Sequence, residues 1–362
     1  MLKINFLLNS VNDAHSLRRV QDFKVHGFDV KVYGFLREKE ATSSTNANIV
    51  GAFANSLSYK KRISIYKKGI KKAFEEGGKD NLWYYLGLDV ALFATFFSHN
   101  TKYIYEECDL TQTYISNAFV GRVLEWIDKK IIRNSLVTIM TSQGFIDFHY
   151  GETNKHPDII YGLNKLAPEI EQLKSQFIPH TSDTRHLKFA FVGGIRYKSL
   201  LSVARIISEH FPNHEFHFYG FVSPTLPGKD LPHANNIYYH GRFKSPTDLP
   251  KIYSNVDVLI CTYDIDNENV RFAEPNKLYE AMYFACPIIV SKGTYLAKRV
   301  KELGIGTDVD PYDNKDVISA VHKIEQKLPT LKHHLNRMER KQAVEDYSYL
   351  KDIKLKLKGN NI

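Results

Sequence analysis

A helix start at residues 275–277 has the chemistry to hold a nucleotide. The stretch Asp264-Ile265-Asp266-Asn267-Glu268-Asn269-Val270-Arg271-Phe272-Ala273-Glu274-Pro275-Asn276-Lys277-Leu278-Tyr279-Glu280 follows an apolar strand at 256–262. Proline suits the first helical position, where its missing N–H has no partner to lose. The amides of Asn276, Lys277 and Leu278 would then point out of the helix start and, with the helix dipole, suit a phosphate. Lys277 adds a full positive charge. Glu280 lies about one turn further on, where a carboxylate can accept hydrogen bonds from the vicinal hydroxyls of a ribose. The bland alternative is a solvated Lys277 and an ordinary exposed Glu280.

A second constellation is Phe191-Val192-Gly193-Gly194-Ile195-Arg196-Tyr197-Lys198, a strand, two glycines and two cations before a helix. Glycines let the backbone come close to a ligand, and Arg196 and Lys198 can reach a diphosphate. Surface solvation explains such a turn equally well when it stands alone. A third group is Glu106-Glu107-Cys108-Asp109 after the apolar run 103–105. Its acids either face a ligand or cap a turn at a strand end.

Other chemistries are disfavoured. The chain has no GxxxxGK[ST] phosphate loop, no GxGxxG after its first strand and no HExxH pair. We assign no metal, and Asp264-Ile265-Asp266 reads as loop acid. Cys108, Cys261 and Cys286 form no CxxC pair and are odd in number, so reduced thiols are expected.

The elements that must position these residues alternate between strand and helix, twice over. In the first half, strands are expected at 3–9, 29–35, 82–86, 103–106, 136–141 and 158–161, with helices at 15–27, from 89 and over 119–133. Residues 38–55 are polar and read as loop, with a weak strand near Ile49. The second half expects strands at 187–192, 215–219, 236–239, 256–262 and 287–291, and helices at 199–210 and from 275, 296 and 316. Alternation of this kind predicts parallel sheets covered on both faces. The fold class is therefore α/β, with two doubly wound Rossmann-like domains facing across a cleft. Ligands of open parallel sheets bind at the carboxyl ends of the strands. The expected division is an N-terminal domain over 1–164, a linker over 165–185, a C-terminal domain over 186–340, and a tail over 341–362 that packs back on the first domain. At 362 residues the chain has length for two such cores.

The formal net charge is +9, with 43% hydrophobic and 25% charged residues. That excludes a wholly disordered chain and points to anionic partners. Residues 59–74 hold seven cations and no acid. Ile63, Tyr66, Ile70 and Phe74 would share one helix face there. Two readings stay open for residues 60–72: an anionic membrane surface, or a solvated helix packed on its own domain. Nucleic acid is disfavoured, since no recognition motif accompanies the charge. No apolar run approaches a spanning helix and the N-terminal run is too short for a signal peptide, so a cytoplasmic protein is expected.

Pro275-Asn276-Lys277-Leu278-Tyr279-Glu280-Ala281-Met282, followed by Pro287-Ile288-Ile289-Val290-Ser291, resembles the donor signature of family 4 glycosyltransferases, and is most similar to bacterial capsule, O-antigen and exopolysaccharide enzymes. The likeness extends to residues 191–196, 238–241 and 249–258, and more loosely to 103–110 and 141–145. It implies the two-domain GT-B fold and a retaining glycosyltransferase that moves a sugar from a nucleotide diphosphate sugar to a surface-glycan acceptor, which a lipid pyrophosphate can carry. It implies no cofactor and no metal. Donor binding falls to Gly194, Arg196, Lys198, Asn276, Lys277, Leu278 and Glu280, and catalysis to Asp109 and Glu107. Two positions depart from the family pattern: Phe272 stands where many members have a donor-sugar glutamate, and Cys108 where many have a histidine. A nucleotide-sugar 2-epimerase on the same fold, and a non-catalytic sugar-nucleotide or glycan-binding protein, are the rival readings.

Overall fold

The computed structural model describes residues 1–37, 46–54, 56–97, 101–151, 157–224, 226 and 230–360. Part of the polar segment 38–55 thus lies outside the described residues. The chain divides into two compact units, Met1–Leu163 with Tyr347–Ile362, and Asn164–Asp346.

In the first unit the strands are β1 (Leu2–Leu8), β2 (Phe28–Arg37), β3 (Asn48–Phe53), β4 (Trp83–Leu86), β5 (Tyr103–Glu107), β6 (Val137–Met140) and β7 (Ile159–Tyr161). They form one parallel sheet in the order β3-β2-β1-β4-β5-β6-β7. The order reverses between β1 and β4. The helices are α1 (Ala14–Val25), α2 (Tyr59–Gly77), α3 (Leu88–Phe97), α4 (Ala118–Asn134), α5 (Gln143–Tyr150) and α12 (Ser348–Gly359). Side-chain caps start several of them: Asp13 accepts from the Ser16 amide, and Asn117 from the Phe119 and Val120 amides. Every residue of β4 and β5 is buried, because helices cover both faces. The core joins Phe6, Phe23 and Tyr84 to Tyr349, Leu350, Ile353 and Leu357 of α12.

The second unit has β8 (Lys188–Val192), β9 (Glu215–Tyr219), β10 (Ile237–Gly241), β11 (Val258–Cys261), β12 (Ile288–Ser291) and β13 (Gly306–Val309), parallel in the order β10-β9-β8-β11-β12-β13. Its helices are α6 (Lys198–His210), α7 (Leu249–Tyr253), α8 (Glu268–Phe272), α9 (Asn276–Tyr283), α10 (Tyr295–Leu303) and α11 (Asn314–Arg337). Here the order reverses between β8 and β11. Residues 165–185, expected as a linker, hold the 3-10 helix Pro168–Gln176 and count within this unit. Residues 340–346 stay with it as well.

Helix α2 packs on its own unit. Tyr66, Ile70 and Phe74 are buried in the first unit, and only Ile63 of the apolar face is exposed. The lysines at 60, 61, 67, 68, 71 and 72 face solvent. Three of the four residues of the apolar stripe are thus spent on packing, and the lysines stay at the surface. Among the described residues no helix is long and apolar enough to cross a membrane.

Candidate nucleotide and acid sites

In the second unit, β8 runs into Gly193 and Gly194. Gly193 has φ +156° and Gly220, after β9, has φ +145°. A Cβ on Gly220 would lie 1.7 Å from the Gly193 carbonyl oxygen, so only glycine lets these two turns close on each other. A Cβ on Gly194 would press on the Phe221 ring at 3.3 Å, and Arg242 stacks on that ring at 4.8 Å. Neither Gly220 nor Arg242 is singled out by a motif, but the glycine directly after a strand was a signal that could have found the first.

The start of α9 adjoins this turn: the Lys277 Cε lies 3.8 Å from where a Gly193 Cβ would be. Lys277 Nζ donates to Glu280 Oε1 at 2.5 Å, Asn276 Nδ2 donates to the same oxygen at 3.0 Å, and the Tyr253 hydroxyl donates to Oε2 at 2.5 Å. Lys277 and Glu280 are both buried. Burial and the Glu280 charge push the Tyr253 hydroxyl far up, so it remains a donor. The structure therefore brings Gly193, Gly194, Asn276, Lys277 and Glu280 together, with Lys277 and Glu280 paired to each other.

Two expectations, on Pro275 and on the Leu278 amide, are corrected. Pro275 is the N-cap and Asn276 opens the helix, one residue later than expected. The Leu278 amide is not open to a ligand: it donates to the Pro275 carbonyl at 3.1 Å, which closes the first turn. Lys198 starts α6 with an exposed side chain, and the anion at that helix start is the protein's own Asp264. Its carboxylate accepts from the Lys198 amide at 3.1 Å, the Ser199 amide at 2.8 Å and the Tyr312 hydroxyl at 3.0 Å. Arg196 is exposed, its guanidinium 4.9 Å from the Tyr197 ring. Phe272 ends α8 and is half-buried. Glu274 is tied to Arg299 at 3.2 Å and to the Tyr279 hydroxyl, so it has a structural role.

In the first unit the acids at the end of β5 separate by strand alternation. Glu106 faces α1 and accepts from Arg19 through Nε at 3.0 Å and Nη2 at 2.6 Å, from the Tyr84 hydroxyl, and meets His15 Nε2 at 3.0 Å. Burial would raise its pKa, but Arg19 and His15 outweigh burial and hold the carboxyl well below its usual range. Glu107 faces α4 and α5. It is wholly buried, 2.9 Å from His149 Nε2, and His149 Nε2 lies 3.7 Å from Asp128 Oδ2. Burial pushes Glu107 up to about 7, raises Asp128, with the Glu107 charge adding to the rise, and lowers His149. Glu107, expected to act on substrate, is thus an interior group, because both faces of this sheet are covered. Asp109 is exposed just beyond the strand, its carbonyl accepting from the Thr111 amide at 2.8 Å.

His15, Glu106 and Cys108, and Glu107, Asp128 and His149, are the two groups of potential metal ligands among the described residues. The Arg19 guanidinium meets Glu106, and the His149 ring meets Glu107. His15 and Arg19 carry no motif, and nothing in the sequence pairs them with Glu106. The three cysteines are free.

No family model matches the chain, and no curated protein does either. Solved structures do. Sucrose-phosphate synthase from Thermosynechococcus elongatus superposes with a TM-score of 0.73 at 15% identity over 98% of both chains. HepE of Anabaena, in complex with UDP and glucose, gives 0.65 at 16% identity over 99% of this chain and 100% of that one. A UDP-N-acetylglucosamine 2-epimerase gives 0.56 at 12% identity over 96% and 92%. At these identities the likeness is one of fold: over nearly its whole length the chain has the two-domain α/β architecture of GT-B glycosyltransferases.

Proposed function

We propose that the protein is a retaining glycosyltransferase that moves a sugar from a nucleotide diphosphate sugar to a surface-glycan acceptor. The observation that carries this reading is the buried Lys277–Glu280 pair beside the Gly193–Gly194 turn. A nucleotide would separate the pair. Lys277 turns to the diphosphate, and Glu280 accepts from the ribose hydroxyls while Tyr253 and Asn276 hold it in place. Arg196 adds charge at the diphosphate. The bond from the anomeric carbon to the diphosphate oxygen breaks, and its electron pair leaves on the diphosphate. The acceptor hydroxyl forms the new glycosidic bond, and its proton passes to the departing diphosphate oxygen. Cations placed where that charge develops lower the barrier, and the scheme calls on no cofactor or metal. Asp109, exposed at the end of β5, orients the sugar or the acceptor hydroxyl, and Glu107 acts behind it as a positioning residue. A lipid-linked acceptor, a cytoplasmic location and a role in capsule, O-antigen or exopolysaccharide assembly belong to the same reading.

The epimerase likeness supports a second reading on the same fold. Incubation with a series of nucleotide sugars, with and without glycan acceptors, separates the two. Release of nucleoside diphosphate together with a lengthened acceptor supports the transferase. A 2-epimeric sugar formed from UDP-N-acetylglucosamine without acceptor supports the epimerase. Binding of donor with neither product leaves a sugar-nucleotide-binding protein.

A further inference from the structure

Helix α4 carries a surface that neither the core nor the donor site explains. Of its 17 residues only Asp128, Ile131 and Ile132 are buried. Phe119 is 74% exposed and Trp126 64%, and Val120 and Val123 are exposed beside them. Phe119, Val123, Trp126 and Lys130 follow one another at spacings of four, three and four, which is one helix face. Tyr114 and Ile115, just before the helix, extend the strip, as does Phe96 of α3, which is 68% exposed. Phe96, Trp126 and Lys130 line a shared groove of about 370 Å³. Scattered apolar residues are ordinary on a surface, whereas a contiguous strip marks an interaction site.

The charges on the strip indicate what it meets. Arg122, Lys130 and Arg133 are exposed, and Lys130 Nζ lies 5.6 Å from the Trp126 ring. The two acids of the helix are withdrawn: Asp128 is buried, and Glu125 is half-buried and paired with Lys129 at 2.8 Å. Aromatic rings flanked by cations, with neither acid of the helix exposed, suit the headgroup level of an anionic bilayer, where tryptophan concentrates. The more basic helix α2 lacks such a face, since its apolar residues are in the core.

We propose that the exposed face of α4, with Phe96, docks the first unit on an anionic lipid bilayer. Phe119, Val123 and Trp126 enter the boundary between headgroups and acyl chains, and Arg122, Lys130 and Arg133 meet the lipid phosphates. Each such cation multiplies partitioning by about fivefold at low salt. The inference stands on this surface and not on the donor site, so transferase assays neither support nor remove it.

The full chain is mixed with vesicles of phosphatidylcholine, and with vesicles of phosphatidylcholine and phosphatidylglycerol in equal parts. Binding is expected on the mixed vesicles, weaker as salt rises. The chain has two tryptophans, and Trp83 is buried, so a blue shift of emission reports Trp126. The double variant Phe119→Ser/Val123→Ser, at exposed positions, should stay folded by circular dichroism and partition about tenfold less or weaker. Exchanging Lys67, Lys68, Lys71 and Lys72 for Gln should reduce binding less than that. Unchanged Trp126 emission, equal binding to both vesicles, or a double variant that binds like the parent overturns the proposal. So does a dimer in lipid-free solution that shields Trp126.

Discussion

Replacing Lys277 by Met should destabilise the second unit far more than loss of one surface ion pair. Its side chain is 7% exposed and that of Glu280 is 1%, with 2.5 Å between Nζ and Oε1. Without the ammonium, Glu280 keeps Asn276 and Tyr253 as donors but remains a buried anion with no cation among its bonded partners. Removing one member of a buried pair costs about 3–5 kcal/mol, against about 0–1 kcal/mol for an exposed pair. Glu280→Gln keeps an acceptor near Lys277 but removes the charge, for about 2–3 kcal/mol. The double variant Lys277→Met/Glu280→Gln buries no uncompensated charge and should cost about 1–2 kcal/mol, less than the sum of the singles. The coupling is then at least about 3 kcal/mol. Urea unfolding of the four proteins, followed by circular dichroism and by a near-ultraviolet signal, measures it. Costs that simply add, within about 0.5 kcal/mol, would mean that the pair is solvated in solution and that the argument is wrong.

Three further outcomes follow from other contacts. Glu107→Gln should change the pH dependence of stability: a carboxyl raised to about 7 stabilises the fold at low pH and loses that contribution as pH rises from its unfolded value through 7. Relative to the variant, the parent should therefore lose about 3 kcal/mol between pH 4.5 and 7, and parallel stability curves would refute the assignment. Gly220→Ala should cost about 3 kcal/mol or more and weaken nucleoside diphosphate binding, because its Cβ collides with the Gly193 carbonyl at 1.7 Å, and a stable variant with normal binding would show that the turn yields. Asp109→Asn should lower turnover about 10²- to 10⁴-fold with little change in nucleotide affinity, and near-normal turnover on the acceptor would make Asp109 only a turn residue.

Both sheets, β13 apart, were legible in the alternation of short apolar runs with helical periods, and so was the helix that carries Asn276, Lys277 and Glu280. What could not be read depends on contacts far apart in the chain. Asp264 looks like loop acid until β11 brings it to the start of α6, where its carboxylate accepts from the Lys198 and Ser199 amides. Adjacent acids at the end of β5 look equally exposed. Only a sheet covered on both faces buries both, sending Glu106 to Arg19 and Glu107 to His149. The apolar face of α2 gives no sign of its partner, whereas α4, with a similar period, leaves its rings in solvent. Periodicity tells which residues share a face, and the packing of other elements decides whether that face is covered.

The central claim is that Lys277 and Glu280 hold the two ends of a nucleoside diphosphate. Calorimetric titration with uridine, guanosine and their diphosphates, into the parent, Lys277→Ala, Arg196→Ala and Glu280→Ala, tests it directly. Charge-assisted hydrogen bonds contribute about 1.5–3 kcal/mol each, so each loss should weaken binding about tenfold or more. Glu280→Ala should weaken nucleoside and diphosphate alike, and the two cation variants should weaken the diphosphate while leaving the nucleoside nearly unchanged. Folded variants that bind every nucleotide as tightly as the parent would place the donor site elsewhere and contradict the account.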